Sequence, residues 1–221
     1  MKASSVEHTR RLDPTRLVTS ALFGGLGHLF TALSAYVTAK SEGRAPEPIT
    51  LRIDDPLAEK LDVLGWNEYV GWYYPVYLAM QLPLSEAEIR AIELEAMVDF
   101  RIETAADKPL IVSEFGADAK HGRHGHRAEV FTEEYQAHLY RQQLRMLANA
   151  PNLRGISPWI LKDFLAPMRV RPGIQDYYNR KGLVSEKGEK KLAFAVLQEF
   201  YAAKRAAGTR AQRHSDWNAR S

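Results

Sequence analysis

Short apolar runs alternate with longer stretches in which apolar residues return every three or four positions, and the two patterns take turns along most of the chain. Leu17 to Thr19, Leu61 to Asn67, Leu110 to Glu114 and Gly155 to Ile160 are too short for helices, are set off by turn-forming residues, and read as buried strands. Between them the period lengthens. Ser85 and Glu88 have the spacing of a capping box ahead of Ile89, Ile92, Met97 and Phe100, which predicts an amphipathic helix. Tyr135, Leu139, Leu144 and Leu147 mark another from about Thr132 to Ala150, and a last helix is expected from Lys190 to about Arg205. Val6 to Leu12 reads as the end of a helix closed by the turn Asp13-Pro14-Thr15-Arg16. A Pro-rich stretch, Ala45 to Ile49, precedes the second strand, and Lys162 to Gly182 has no period and reads as a long irregular segment. Buried strands alternating with amphipathic helices are the pattern of parallel βα units.

Composition narrows the function classes. The 221 residues hold 30 Lys and Arg against 27 Asp and Glu, a net charge of +3, much of it in the last stretch from Lys204 to Arg220. No basic run is interleaved with aromatics on a recognisable motif, so no nucleic-acid partner is expected. Without cysteine there is no disulfide framework, thiolate nucleophile or Cys-type zinc site. The most apolar window, Ala21 to Ala39, carries His28 and early glycines and lacks an aromatic belt; it is expected to hold a strand end, a loop and a core helix rather than a membrane span. Met1 to Arg11 is polar and charged, unlike a signal sequence, and the compartment stays open.

Candidate chemistry gathers at two strand ends. In KPLIVSEFGAD, residues 108 to 118, the apolar run stops on Ser113-Glu114 and breaks at a glycine. A carboxylate at the carboxyl end of a buried parallel strand occupies the position where α/β barrels keep catalytic groups, and a glutamate that caps a helix or pairs with a surface arginine fits the same segment. In WNEYVGWYYPVY, residues 66 to 77, half the positions are aromatic. Such density suits a sugar site, with ring faces stacking on aromatics and hydroxyls meeting Asn67, and it equally suits an aromatic core cluster. Successive strand side chains face opposite ways, so if Asn67 and Tyr69 face a site, Glu68 does not, and it is expected to be structural. His121, His124 and His126 lie in a loop rich in Gly, Arg and Lys without an obvious carboxylate partner, and read as a mobile loop rather than metal ligands.

The segments DPTRLVT, LDVLGWNEYVGWY, KPLIVSEFGAD, FTEEYQ, SPWILKDF and YYNRKGLVSEKGEKKLAF, in this order, strongly resemble the carboxyl-terminal half of the catalytic barrel of glycoside hydrolase family 2, the β-glucuronidase and β-galactosidase group. The resemblance runs from Leu12 to about Tyr201. It implies an α/β fold, a partial (β/α)8 TIM barrel with approximately strands 5 to 8 and their helices in residues 1–207, followed by a basic, disordered tail in 208–221. It implies that Glu114 is the nucleophile attacking the anomeric carbon, that Asn67, Tyr69 and Tyr73 line the site, and that Trp159 stands beside the sugar. Asn179 and Lys181 match an Asn-x-Lys pattern associated with the uronic acid carboxylate, and an ammonium beside an amide donor suits a carboxylate. The same wording fits relatives acting on neutral sugars, with Lys181 paired to a protein acid. No cofactor or metal is implied, since two carboxyls perform the chemistry of a retaining glycosidase.

In this family the acid/base glutamate follows an asparagine at the end of the fourth barrel strand, and the resemblance implies that this sequence starts in the helix after that strand. The expected partner is therefore a glycoside, with a glucuronide favoured, together with a missing amino-terminal half or a second copy that covers the open strand edges. The competing expectation is an inactive fragment or split-enzyme subunit.

Overall fold

The computed structural model describes residues 2–22, 26–104 and 106–218, with side chains at 2–4, 26 and 208–218 excepted. Along the chain run α1 (Lys2–Leu12), β1 (Thr19–Leu22), α2 (Leu26–Ser41), β2 (Thr50–Ile53), β3 (Val63–Asn67), α3 (Tyr74–Ala79), α4 (Glu86–Ala96), β4 (Arg101–Thr104), β5 (Leu110–Glu114), α5 (Glu133–Leu147) and β6 (Leu153–Ile156). The two-residue strands β7 (Phe164–Leu165) and β8 (Tyr178–Asn179) and the long α6 (Leu192–Asn218) complete it.

The expected parallel βα arrangement is present as a four-stranded sheet in the order β1-β3-β5-β6, with every neighbouring pair parallel. Its strands are apolar because both faces are covered: Leu64, Leu110 and Val112 are fully buried. Helix α5 packs on α6, and α4 packs on α2, α3 and α5. The capping box forms as its spacing predicts, since Ser85 Oγ accepts from the Glu88 N–H while Glu88 Oε2 accepts from the Ser85 N–H at 2.8 Å. Within Ala21 to Ala39 the described residues are the end of β1 and most of α2, the expected loop at 23–25 lies outside the described residues, and no helix among the described residues is long and apolar enough to cross a membrane.

Several elements differ from the sequence reading. β2 and β4 form a separate parallel pair outside the main sheet. Each is only four residues long, and the exposed Arg52–Glu103 pair across it hides the alternation of apolar positions. β6 stops at Ile156 instead of Ile160 because Ser157 precedes a proline and the chain then leaves the ladder. α6 continues past Arg205, so the tail expected from residue 208 lies where only backbone is described, as the end of this helix.

Parallel registry places the carboxyl ends of the central strands together. Asn67 at the end of β3 is level with Glu114 at the end of β5. Beyond the ladders the backbone stays joined, with the Glu68 N–H donating to Glu114 O at 2.8 Å, Ser157 N–H to Val112 O at 2.7 Å and Trp159 N–H to Phe115 O at 2.9 Å. One end of the sheet thus collects Asn67, Glu114 and Trp159.

Candidate active site

Glu114 is half-buried at this end, and its Oε2 accepts a hydrogen bond from Tyr69 Oη at 2.9 Å. Burial, then the Glu114 carboxylate beside it, push the Tyr69 phenol far above its ordinary range, so it remains a proton donor. Ser113 Oγ donates to Asn67 Oδ1 at 2.8 Å, which leaves the Asn67 amide N–H groups to point elsewhere. The strand-end pair Ser113-Glu114 therefore orients both residues of β3 and its turn.

That turn, residues 68 to 73, is tied down from behind. Glu68 Oε1 accepts from the Val70 N–H, and Glu93 Oε2, reaching from α4, accepts from the next N–H, that of Gly71, at 2.9 Å. Tyr135 Oη and Gln143 Nε2, both on α5, donate to the carbonyls of Gly71 and Val70. Gly71 has φ 83°, and a Cβ there would come within 2.6 Å of Leu139 and Met97 side-chain carbons, so only glycine fits. Glu68 and Glu93 are both fully buried, and burial pushes each carboxyl up to about 8, with the Glu93 charge adding to the rise at Glu68. Glu68 turns away from the strand-end site, as the alternation of side chains requires.

Lys181 is almost fully buried and donates through Nζ to Asp118 Oδ1 at 2.6 Å. Its ammonium stands 5.0 Å from the ring centroids of Trp72 and Tyr73 and 5.9 Å from that of Tyr69. Gln175 Nε2 donates to the other Asp118 oxygen at 2.9 Å, and Asn179 Oδ1 accepts from the Lys181 N–H at 3.0 Å. Lys181 is thus brought to the tyrosines of the turn with a protein acid already on it, while the Asn179 side chain bonds the Lys181 backbone. The segment carrying them is held by Asp163, whose Oδ1 accepts from Lys191 Nζ and the Gly182 N–H, each at 2.8 Å, and whose Oδ2 faces Arg180 at 3.3 Å. Lys191 Nζ also donates to the carbonyls of Ala119 at 2.6 Å and Arg180 at 2.9 Å. Trp159 is half-buried, with its ring edge-on to Phe164.

Arg169 is a residue that the sequence reading missed. Its guanidinium acts on the Tyr73 phenol: burial raises that phenol, and Lys181 and Arg169 together hold it below its usual range. It sits in the irregular segment, where no period or motif separates it from the arginines around it.

The histidine loop needs a correction. His124 Nδ1 lies 2.8 Å from Glu134 Oε1, and His121 lies 3.3 Å from Glu189, so two of the three histidines do have carboxylate partners. Those partners come from α5 and from the segment before α6, far enough in sequence to be invisible locally. Among the described residues no group of three or more His, Cys, Asp or Glu is placed to hold a metal.

Chemically, the site offers one accessible carboxylate with a phenol fixed against it, an amide, and a cationic side wall of Lys181 and Arg169. The nearby Glu68 and Asp118 are fully buried and already hold backbone or side-chain partners, so neither is placed to protonate a leaving group.

No family model matches the chain. It is 32% identical over 146 residues to a β-glucuronidase of Streptococcus agalactiae, covering 66% of this chain and 22% of that protein. It is 27% identical over 202 residues to the β-glucuronidase of Rattus norvegicus, covering 89% of this chain and 25% of that one. Among solved structures, a family 2 β-galacturonidase from Eisenbergiella tayi bound to glycerol matches with a TM-score of 0.58 at 21% identity, over 91% of this chain and 29% of that chain, which is a likeness of fold. The chain spans about a quarter of the length of the curated relatives it matches.

Proposed function

The chain is a relative of the β-glucuronidases, glycoside hydrolases of family 2, and from that relationship we propose that it carries the nucleophile-bearing half of a retaining exo-acting β-glycosidase, glucuronidase-like more than galactosidase-like. The observation that carries the reading is the hydrogen bond from Tyr69 Oη to Glu114 Oε2 at the carboxyl end of β5. In this reading β1, β3, β5 and β6 are strands 5 to 8 of an eight-stranded barrel, whose active sites lie at this end.

Glu114 attacks the anomeric carbon as the bond to the leaving oxygen breaks, forming a glycosyl-enzyme ester that water later hydrolyses. Tyr69 orients the carboxylate before attack, and Asn67, fixed by Ser113, directs its amide donors at a sugar hydroxyl. Trp159 stands beside the ring. Asn179, Lys181, Tyr73 and Arg169 collect around the acidic substituent. Arg169 supports the acidic-sugar assignment most, because Asp118 already offsets the Lys181 charge.

Retention needs a second carboxyl about 5 to 5.5 Å from the first, to protonate the leaving oxygen and then activate water. The burial of Glu68 and Asp118 supports a source outside these 221 residues, in the stretch that carries the first four strands, which would pair with the open edges of β1 and β6. A chain assayed alone is then inactive.

The test is hydrolysis of chromogenic β-glucuronide and β-galactoside by the purified chain, alone and with a complementary polypeptide supplying strands 1 to 4. Activity is expected only in the mixture, with the glucuronide preferred, and Glu114→Gln abolishes it. Hydrolysis by the isolated chain places the acid/base within these residues, and retained activity in Glu114→Gln removes Glu114 from its role.

A further inference from the structure

The solvent side of α5 carries a line of cations. Leu144 apart, the residues of Glu133–Leu147 that are not buried are Glu134, His138, Arg141 and Arg145, and their spacing of three and four places them on one stripe of the helix. From the loop ahead of α5, the exposed His126 and Arg127 reach the same face. Burial, then the charges of Arg127, Arg141, Arg145 and His126, hold the His138 imidazole below its ordinary range.

The acids around this face are engaged elsewhere. Glu134, at the head of the stripe, lies 2.8 Å from His124 and accepts from the Gly125 N–H at 3.2 Å, and Glu129 is paired with Arg123. Glu133 is buried and accepts from the N–H groups of Gly122 and Leu192. On the α4 side, Glu95 and Asp99 act on Tyr36 of α2. Among the described residues Arg127, Arg141 and Arg145 stand in no ion pair, and Arg145 donates only to the neutral Gln142 amide at 3.1 Å. Like charges one turn apart, as at Arg141 and Arg145, oppose the helix that holds them. The helix dipole favours Arg145 in the last turn, but it does nothing for Arg141 or Arg127.

From 138 to 145 the stripe runs about 10.5 Å, two turns of helix. A row of carboxylates on a facing helix has the same rise, and the planar guanidinium fork matches a carboxylate. Duplex nucleic acid draws on roughly six to ten phosphate contacts, more than this stripe supplies. None of the exposed large apolar or aromatic side chains lies between residues 121 and 150, so the face offers no ring for a base to stack on and no anchor for lipid. We propose that the outer face of α5 is a docking surface for an acidic helical segment of a partner protein, with Arg127, Arg141 and Arg145 receiving carboxylates one turn apart and His138 between them. None of these residues belongs to the candidate active site.

The test titrates the full chain into a fluorescein-labelled helical peptide of Glu and Ala, with a peptide of Gln and Ala as the neutral control, and reads anisotropy. The acidic peptide is expected to bind roughly tenfold or more tightly than the neutral one, in keeping with charged hydrogen bonds, and the difference shrinks at high salt. Arg141→Glu gives Arg145 an opposite charge one turn away, so it removes the preference while the melting temperature stays level or rises. Arg141→Lys keeps part of the preference, and Lys187→Gln, at an exposed cation outside the stripe, leaves it intact. No preference for the acidic peptide, or one that survives Arg141→Glu, overturns the proposal. A fall in melting temperature in Arg141→Glu also overturns it, by giving the stripe a structural role. Tighter binding of single-stranded DNA, or of phosphatidylserine vesicles, than of the acidic peptide assigns the face to that class instead.

Discussion

Replacing Asp118 by Asn tests the buried ion pair on which one wall of the candidate site depends. The change conserves shape, so it opens no cavity, and it leaves an oxygen to accept from Gln175. What it removes is the charge facing Lys181 across 2.6 Å, where the lysine side chain is 1% and the aspartate 0% exposed. Breaking one side of such a pair strands an ammonium away from water and costs about 3–5 kcal/mol. The surrounding rings of Trp72 and Tyr73 return only part of that. For a chain of this length each kcal/mol moves the melting temperature by about 2–4 °C, so a fall of roughly 6–20 °C is expected. Urea unfolding of the full chain, read as midpoint and slope, measures the loss, and the cycle with Lys181→Met separates coupling from the two single effects. Glu103→Gln is the control: its pair with Arg52 is more than half exposed on both sides, and its loss is worth less than about 1 kcal/mol. If Asp118→Asn falls within about 1 kcal/mol of the parent and shows no coupling to Lys181, the pair does not hold the site together.

Further outcomes follow from the same structure. Glu68 and Glu93 have folded pKa values of about 8, raised from 4.5, so between these values the folded state binds more protons than the unfolded one. Their stabilisation is complete below pH 4.5 and is lost as pH rises towards 8, by up to about 1.4 kcal/mol per pH unit for each group. Urea midpoints at several pH values across that window check this, and Glu68→Gln flattens the slope. Gly116→Ala puts a Cβ 2.6 Å from Tyr140 Oη at a φ of 129° and should destabilise by roughly 2–4 kcal/mol, read from thermal unfolding. Ser85→Ala removes the acceptor for the Glu88 N–H and one arm of the capping box, and should cost about 1 kcal/mol in the same assay.

What could be read from the chain was what local chemistry writes there. β5 and its terminal glutamate show as an apolar run ended by a charge and a glycine, α4 shows by its cap, and α5 by its period. The opposite facing of Asn67 and Glu68 follows from the pleat alone. The contacts that build the site are of another kind. Lys181 and Asp118 are 63 residues apart and Tyr69 and Glu114 are 45 apart, so the spacing holds no trace of either bond. Arg169 belongs to a segment without period, and the partners of His121 and His124 arrive from other elements. β2 and β4 were hidden because four residues with a charge on the outer face look like a loop.

The bonds around Lys191 also set an order of events on the ribosome. Its ammonium closes onto the carbonyl of Ala119, 72 residues earlier, and onto Asp163 and the carbonyl of Arg180. At synthesis rates of about 5–20 residues per second, the loop that follows Glu114 waits on the order of 4–14 seconds for this cation to be made, and longer for it to clear the exit tunnel. During that interval β1, β3 and β5 can pair, while the Asp118 loop and its aromatic neighbours lack their closing contact. A nascent chain stalled before residue 191 should therefore protect the central strands from protease and leave the loop from 117 to 131 open to cleavage.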